Sequence, residues 1–167
     1  MPISMYQVSV PVFTQMLSSL SKVIDKAIAH VAAKKIDPAA LLTARLYPDM
    51  FPFMKQVQSA TEHARGGASR LAGLEAPRYE DKETSFEDLQ ARIARTLEML
   101  KGLDPAAIDG SEDRDIHFVT GGRERIVKGQ PYLLAQVLPN FFFHVTTAYD
   151  ILRHNGVELG KRDFLNP

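Results

Sequence analysis

The chain has 167 residues, 45% of them hydrophobic and 24% charged, which is enough for one domain with its own core. Its 20 basic and 20 acidic side chains give a formal net charge of zero, so no long-range attraction to nucleic acid or an anionic membrane is expected. The sequence contains no cysteine, which excludes disulfides, thiolate catalysis and thiolate metal sites.

Two further properties bear on location and assembly. No run approaches the ~20 apolar residues of a membrane span, and the first thirty residues do not resemble a signal peptide. We therefore expect a cytoplasmic protein that binds neither membrane nor nucleic acid. A balanced charge also lowers self-repulsion, which favours a homodimer.

Apolar residues spaced three and four apart predict four long amphipathic helices in a single domain, residues 1–167. The first covers about residues 10–33, and a short helix at about 38–45 follows. The second long helix is expected from Asp49, its N-cap, to Leu71. Its run of small residues at 64–68 would let another helix approach closely.

The third long helix follows a polar link and should end at Gly102. Its first residues, Thr84 to Glu87, are typical of a capping box, in which a hydroxyl and a carboxylate each accept a backbone N–H of the first turn. Two short apolar runs then flank Gly121-Gly122 and predict a small β-hairpin. The last long helix is expected from Pro131 to Asn155.

The tail after the last helix, residues 157–167, should be extended and packed across the other helices.

The last helix carries the least ordinary chemistry. Pro139 lies inside it and is expected to bend it. Asn140 and His144 are four residues apart, so both should project from one face and could hold a metal, orient water or bind a polar ligand. Three neighbouring phenylalanines should lower the pKa of His144 and keep it neutral. The alternative is a buried histidine that bonds only to a backbone carbonyl, Thr147 or Tyr149.

The second long helix adds two polar residues among its core positions. Gln56 and His63 are seven residues apart, about 10 Å along the axis, so one metal ion could not bind both. We expect Gln56 to face the pocket of His144 and His63 to lie nearer one end. The alternative for each is a side chain at the boundary between core and solvent.

Four segments resemble a domain-of-unknown-function family related to the DinB/YfiT-like proteins. The segments are Leu46-Tyr47-Pro48-Asp49-Met50, Gln56-Val57-Gln58, Leu138-Pro139-Asn140-Phe141-Phe142-Phe143-His144 and Ala148-Tyr149-Asp150-Ile151-Leu152-Arg153-His154-Asn155-Gly156. The resemblance implies an all-α fold, a four-helix bundle with an up-down-down-up arrangement, here with short extra helices and the hairpin before the last helix. Many proteins of that group are thought to be metalloenzymes, some of them thiol-dependent transferases. Their usual metal site has three histidines, one from the second helix and an HxxxH pair from the last.

The same resemblance places His144 at the second histidine of that pair, Asn140 at the first and Gln56 at the histidine of the second helix. One imidazole with two amides is a poor site for zinc or nickel. We therefore expect these three residues to bind a small polar ligand, with His144 as the one retained metal ligand. One alternative is a metal-dependent transferase or hydrolase whose divalent metal is also held by Asp49 or His63. Another is a non-catalytic module that dimerises.

Overall fold

The computed structural model describes residues 3–165. It is mostly helical and contains one small antiparallel hairpin, which confirms the predictions of a helical fold and of a hairpin. No helix among these residues is long and apolar enough to cross a membrane. The elements in chain order are α1 (Val10–Lys34), α2 (Pro38–Leu42), α3 (Phe53–Leu71), α4 (Phe86–Lys101), α5 (Pro105–Ile108), β1 (Asp115–Thr120), β2 (Arg123–Lys128), α6 (Gly129–Tyr132), a π-helical turn (Leu133–Val137), α7 (Leu138–His154) and α8 (Lys161–Leu165).

The core lies among the four long helices α1, α3, α4 and α7. The most extensive packing joins α3 to α7, and α4 packs against both α1 and α3. Phe13 of α1 and Phe141 of α7 are fully buried, with ring centroids 4.9 Å apart in an edge-to-face contact. Burying such a side chain stabilises the fold by about 1.5–3 kcal/mol, so the apolar stripes of the helices determine which faces meet.

The start of α3 differs from the prediction. Asp49 is exposed and does not cap the helix, which begins four residues later, at Phe53. Pro52 takes the N-cap position in an extended conformation, with φ −68° and ψ 163°. Because a proline disfavours the α conformation in the residue before it, Phe51 lies outside the helix. Its carbonyl is left to accept a hydrogen bond from Gln56 Nε2 at 3.0 Å.

The capping box of α4 is present but lies one residue later than predicted. Ser85 is the N-cap, and its hydroxyl accepts a hydrogen bond from the Asp88 N–H at 3.1 Å. The Asp88 carboxylate accepts the N–H groups of Ser85 at 3.1 Å and Thr84 at 2.9 Å. This position makes Phe86 the first helical residue, where its side chain is buried, whereas a box of Thr84 and Glu87 would have started the helix at Ser85.

The last long helical stretch starts earlier than predicted, at Gly129, and contains a π-helical turn. In this turn Leu138 N–H donates to the carbonyl of Leu133, five residues earlier. The turn ends two residues before Pro139, which has no N–H and whose ring would clash with the carbonyl four residues before it. The irregularity expected at Pro139 therefore takes the form of a wider turn that lets the helix continue.

The C-terminal segment is not the extended tail that the sequence predicted. Residues Lys161–Leu165 form α8, which packs on α1 and is held by the Lys26–Asp163 ion pair at 2.7 Å. Val157 and Leu159, between α7 and α8, are buried. The last two residues of the predicted tail lie outside the described part of the chain. The short α2 also ends earlier than predicted, at Leu42 rather than residue 45.

The small residues of α3 allow the close approach of the π-helical turn. A Cβ atom placed on Gly67 would lie 2.4 Å from Cγ1 of Val137, well inside van der Waals contact. The neighbouring Gly66 is different, because the nearest atom to a Cβ there would be the terminal Nη1 of Arg70, at 2.7 Å, and the next atoms lie at 3.7 Å or more. A long side chain can move its end, whereas valine is branched at Cβ and stiff.

We expect Gly67→Ala to destabilise the protein by about 1–3 kcal/mol, since overpacking outweighs the gain in helix propensity. The double variant Gly67→Ala/Val137→Ala should be more stable than Gly67→Ala alone, because the smaller side chain at position 137 leaves room for the added methyl group. Gly66→Ala is the matched control and should be neutral or stabilising by up to about 1 kcal/mol. Chemical denaturation measures the free energy of unfolding, and a Gly67→Ala protein as stable as Gly66→Ala would contradict the predicted close contact.

Candidate functional site

A buried hydrogen bond joins α3 to α7 at the point where these helices pack. Nδ1 of His144 lies 2.7 Å from Oε1 of Gln56. Gln56 is only 1% exposed and His144 8% exposed, so Gln56 is not a boundary side chain, whereas His63 is half-buried. Two of the three residues that the sequence singled out therefore meet, and they come from positions 88 residues apart.

The surrounding hydrogen bonds determine which nitrogen of His144 carries the proton. Gln56 Nε2 donates to the carbonyl of Phe51 at 3.0 Å, so the amide oxygen of Gln56 faces the imidazole. An amide oxygen can only accept, and Nδ1 of His144 must therefore be the protonated nitrogen. In the neutral ring, Nε2 then keeps its lone pair. None of the hydrogen bonds among residues 3–165 uses Nε2, which leaves it available to a ligand.

The His144 ring lies in a stack of three aromatic rings. The Phe51 ring is nearly parallel to it, with centroids 6.4 Å apart, and the His63 ring is 5.4 Å away at 13°. His63 was expected nearer one end of the pocket, and the structure instead places it against His144. Because Gln56 and His63 are two turns apart on α3, one side chain from α7 can insert between them and contact both.

The environment of the stack keeps both histidines neutral. Burial is the main cause that lowers the pKa of His144 to about 4, and the positive charges of His63 and Lys55 add to the effect. Burial also lowers the pKa of His63, with a further contribution from Arg70, while Glu62 opposes the shift. Two imidazolium rings stacked face to face would repel each other, so this contact requires the neutral forms that the lowered pKa values provide.

Asn140, the third predicted residue, does not join this pair. Its side chain is exposed, and its Nδ2 donates to the carbonyl of Gln136 at 2.6 Å. It faces a cleft of about 180 Å³ between α3, the hairpin and the π-helical turn. His63 links the two places, because it lines the cleft with Asn140 and stacks on His144. A separation of four residues exceeds one helical turn by about 40°, so Asn140 is rotated by this angle around α7 relative to His144 and faces solvent.

Two further polar residues of the cleft were not predicted from the sequence. Arg70 of α3 donates from Nη1 to the Tyr132 hydroxyl at 3.1 Å, and burial raises the pKa of Tyr132. The Tyr132 ring contacts Phe118 of the hairpin, with centroids 4.9 Å apart, so the hairpin forms one wall of the cleft. No spacing pattern in the sequence indicates Arg70 and Tyr132, since two elements distant in the chain, α3 and α6, supply them.

The residues present do not fit the three-histidine metal site of the DinB-like group. Within residues 3–165, no three His, Asp or Glu side chains are placed to hold a metal ion. Gln56 Oε1 already accepts the Nδ1 proton of His144, and Asp49 is exposed. The lone pairs of His63 and His144 lie in nearly parallel ring planes and do not converge on one point.

The lowered pKa of His144 predicts how stability depends on pH. The unfolded histidine binds a proton near pH ~6.5, whereas the folded one does so at about 4, so falling pH favours the unfolded chain across this interval. We expect the free energy of unfolding to fall by about 3 kcal/mol as the pH falls from about 6.5 to about 4, and this contribution to level off below pH ~4.

His144→Gln should reduce this dependence, because glutamine does not titrate and its N–H can still donate to Gln56. His117→Gln removes an exposed histidine of the hairpin and is the matched control, which should leave the slope unchanged. Chemical denaturation at a series of pH values measures the effect. An unaltered slope in His144→Gln would show that His144 does not have a lowered pKa.

Comparison with known proteins agrees with the resemblance found in the sequence. Residues 5–165 match the family described as Domain of unknown function (DUF1993). No curated protein matches the chain. A crystal structure of a DinB family member protein from Shewanella denitrificans is 38% identical and superposes with a TM-score of 0.88, covering 97% of this chain and 92% of that one. On these grounds the chain belongs to the family described as Domain of unknown function (DUF1993), and it is a member of the DinB family.

Proposed function

We propose that this protein binds a small polar molecule at His144, His63 and the adjoining cleft of Asn140, without a three-histidine metal centre. One observation carries the proposal: the Gln56 amide holds His144 in the tautomer whose Nε2 lone pair is not used by any residue from 3 to 165. The ligand would donate an N–H or O–H group to Nε2, and Gln56 would act as the residue that orients the ring.

The size and chemistry of the cleft support a small ligand. Its volume of about 180 Å³ is below the ~300–1,000 Å³ typical of sites for drug-sized molecules. Asn140 and Arg70 supply N–H donors at its wall, and the amide oxygen of Asn140 supplies an acceptor. With the imidazole of His63 and the carboxylate of Glu62 in the same wall, these groups suit a small molecule with both donors and acceptors.

The properties of His144 favour ligand binding over proton abstraction as its role. A general base works best when its pKa lies near the operating pH, and the pKa of His144 is lowered to about 4. At neutral pH such an imidazole is a good hydrogen-bond acceptor and a weak base. This distinguishes the proposal from a hydrolase in which His144 activates water.

We also propose that the four long helices form the up-down-down-up bundle of the DinB-like group. The packing of α3 on α7, of α1 on α4 and of α4 on α3 is consistent with that arrangement, and so is the likeness to the Shewanella denitrificans protein.

Binding can be tested with a panel of small amides, alcohols and amines, followed by ¹⁵N NMR of the histidine side chains. We expect at least one compound to shift the Nε2 resonance of His144, and binding to be lost in His144→Gln. Gln56→Leu should weaken the same binding about tenfold or more, because without the amide oxygen the ring is free to change tautomer. His154→Gln, in an exposed position, is the control. A panel that leaves Nε2 unshifted, or binding that survives His144→Gln, would refute the proposal.

Metal analysis separates the proposal from the metal-dependent alternative. Protein purified without a histidine tag should contain far less than one equivalent of zinc or nickel, since the side chains of residues 3–165 do not converge on a metal position. Stoichiometric metal that disappears in His144→Ala would overturn the proposal and favour a metal-dependent transferase or hydrolase.

A further inference from the structure

A second polar centre lies where the link between α3 and α4, residues 72–85, crosses these helices. The ring of Tyr79, in this link, has three guanidinium groups over it. The distances from the guanidinium carbons to the ring centroid are 4.7 Å for Arg65, 5.4 Å for Arg92 and 4.1 Å for Arg95. Each contact is attractive, but three cations around one ring repel each other. Such a group is stable only when negative charge lies near it.

Arg92 has that compensation. Its Nε donates to the Thr61 hydroxyl at 2.7 Å, and its Nη1 donates to a carboxylate oxygen of Glu83 at 2.9 Å and forms an ion pair with Asp81 at 3.1 Å. Although the Arg92 side chain is 3% exposed, these bonds pair its charge within the protein. Arg92 is therefore a structural residue that ties the link to α3 and α4.

Arg65 is buried to the same extent but is not fully bonded. Its side chain is 4% exposed and forms an ion pair with Glu62, which is itself half exposed. Within the described part of the chain, its Nε has no hydrogen-bond partner, and neither does the buried hydroxyl of Tyr79. Buried donors without partners are rare and costly. Two such donors on residues in contact with each other indicate a place where a ligand supplies the acceptor.

The cavity at this place has the size and charge for such an acceptor. It encloses about 360 Å³ between α3, α4 and the link. Four cationic side chains line it, and the carboxylates of residues 62, 81 and 83 pair with three of them, which leaves one positive charge in excess. The cationic residues are Lys55, Arg65, Arg78 and Arg92.

We propose that this cavity binds a small oxyanion, the carboxylate or phosphate group of a metabolite, which accepts hydrogen bonds from Arg65 Nε and the Tyr79 hydroxyl. The guanidinium of Arg65 has the planar fork of donors that matches such groups. Both donor atoms are buried, so binding requires the ring of Tyr79, which lies in a segment without helix or strand, to move aside. The cavity shares His63 in its wall with the site proposed above, but its contacts to the anion come from Arg65 and Tyr79 and do not depend on the function proposed there.

The test uses the full chain with inorganic phosphate and with acetate as probes, each against sodium chloride at equal ionic strength. Calorimetric titration and thermal unfolding should show saturable binding of at least one anion by the wild type. Tyr79→Phe should weaken that binding about fivefold, the effect of one hydrogen bond, and should fold because it removes only an unbonded hydroxyl. Arg65→Lys, which keeps the charge but loses Nε and the fork, should weaken binding at least tenfold.

A control variant distinguishes this cavity from the exposed surface. Tyr47→Phe, at an exposed tyrosine, should bind the anion as the wild type does. A stronger response to phosphate than to acetate would assign the site to phosphate esters, and the reverse order to carboxylates. Responses no larger than that to chloride would overturn the proposal. The same conclusion would follow if Tyr79→Phe and Arg65→Lys both bound as tightly as the wild type.

Discussion

The hydrogen bond between Gln56 and His144 is the interaction on which the site depends, because it joins α3 and α7 and determines the protonation of the imidazole. It rests on a backbone feature earlier in the chain. Pro52 keeps Phe51 out of α3, the Phe51 carbonyl then accepts from Gln56 Nε2, and the amide oxygen is turned toward His144. Since a buried amide or imidazole that loses its partner costs about 1–3 kcal/mol, the two side chains stabilise the fold only as a pair.

The position of Gln56 on α3 has one role in a three-histidine metal site and another in this protein. In the three-histidine site of the DinB-like group, a second-helix histidine would supply a lone pair to the metal. Here Gln56 accepts a proton from His144 instead, and His63 packs on the face of that ring rather than pointing its lone pair to the same place. Helix α3 thus places two uncharged side chains, Gln56 and His63, against α7. Through Arg65 it also contributes to the cluster of arginines around Tyr79.

Much of the fold could be predicted because patterns of neighbouring residues in the sequence determine its helices and its hairpin. The apolar stripes predicted the four long helices, and the two glycines between short apolar runs predicted the hairpin. Errors arose where two local signals compete. Ser85 with Asp88 and Thr84 with Glu87 have the same spacing, and the structure uses the first pair, which makes the buried Phe86 the first helical residue. Asp49 is a good capping residue, but Pro52, nearer to the core residue Phe53, starts the helix.

The candidate site was only partly predictable, for a related reason. The sequence by itself determined that Gln56 and His144 lie on helical faces and that apolar neighbours would lower the pKa of His144. The tertiary structure alone decided that His63 stacks on His144, that Asn140 turns to a separate cleft, and that Arg65 is buried with an unused donor. These outcomes depend on the rotation of α3 relative to α7 and on the path of the link over α4. Periodicity along one helix carries information about its own faces, but not about the side chains that another helix places against them.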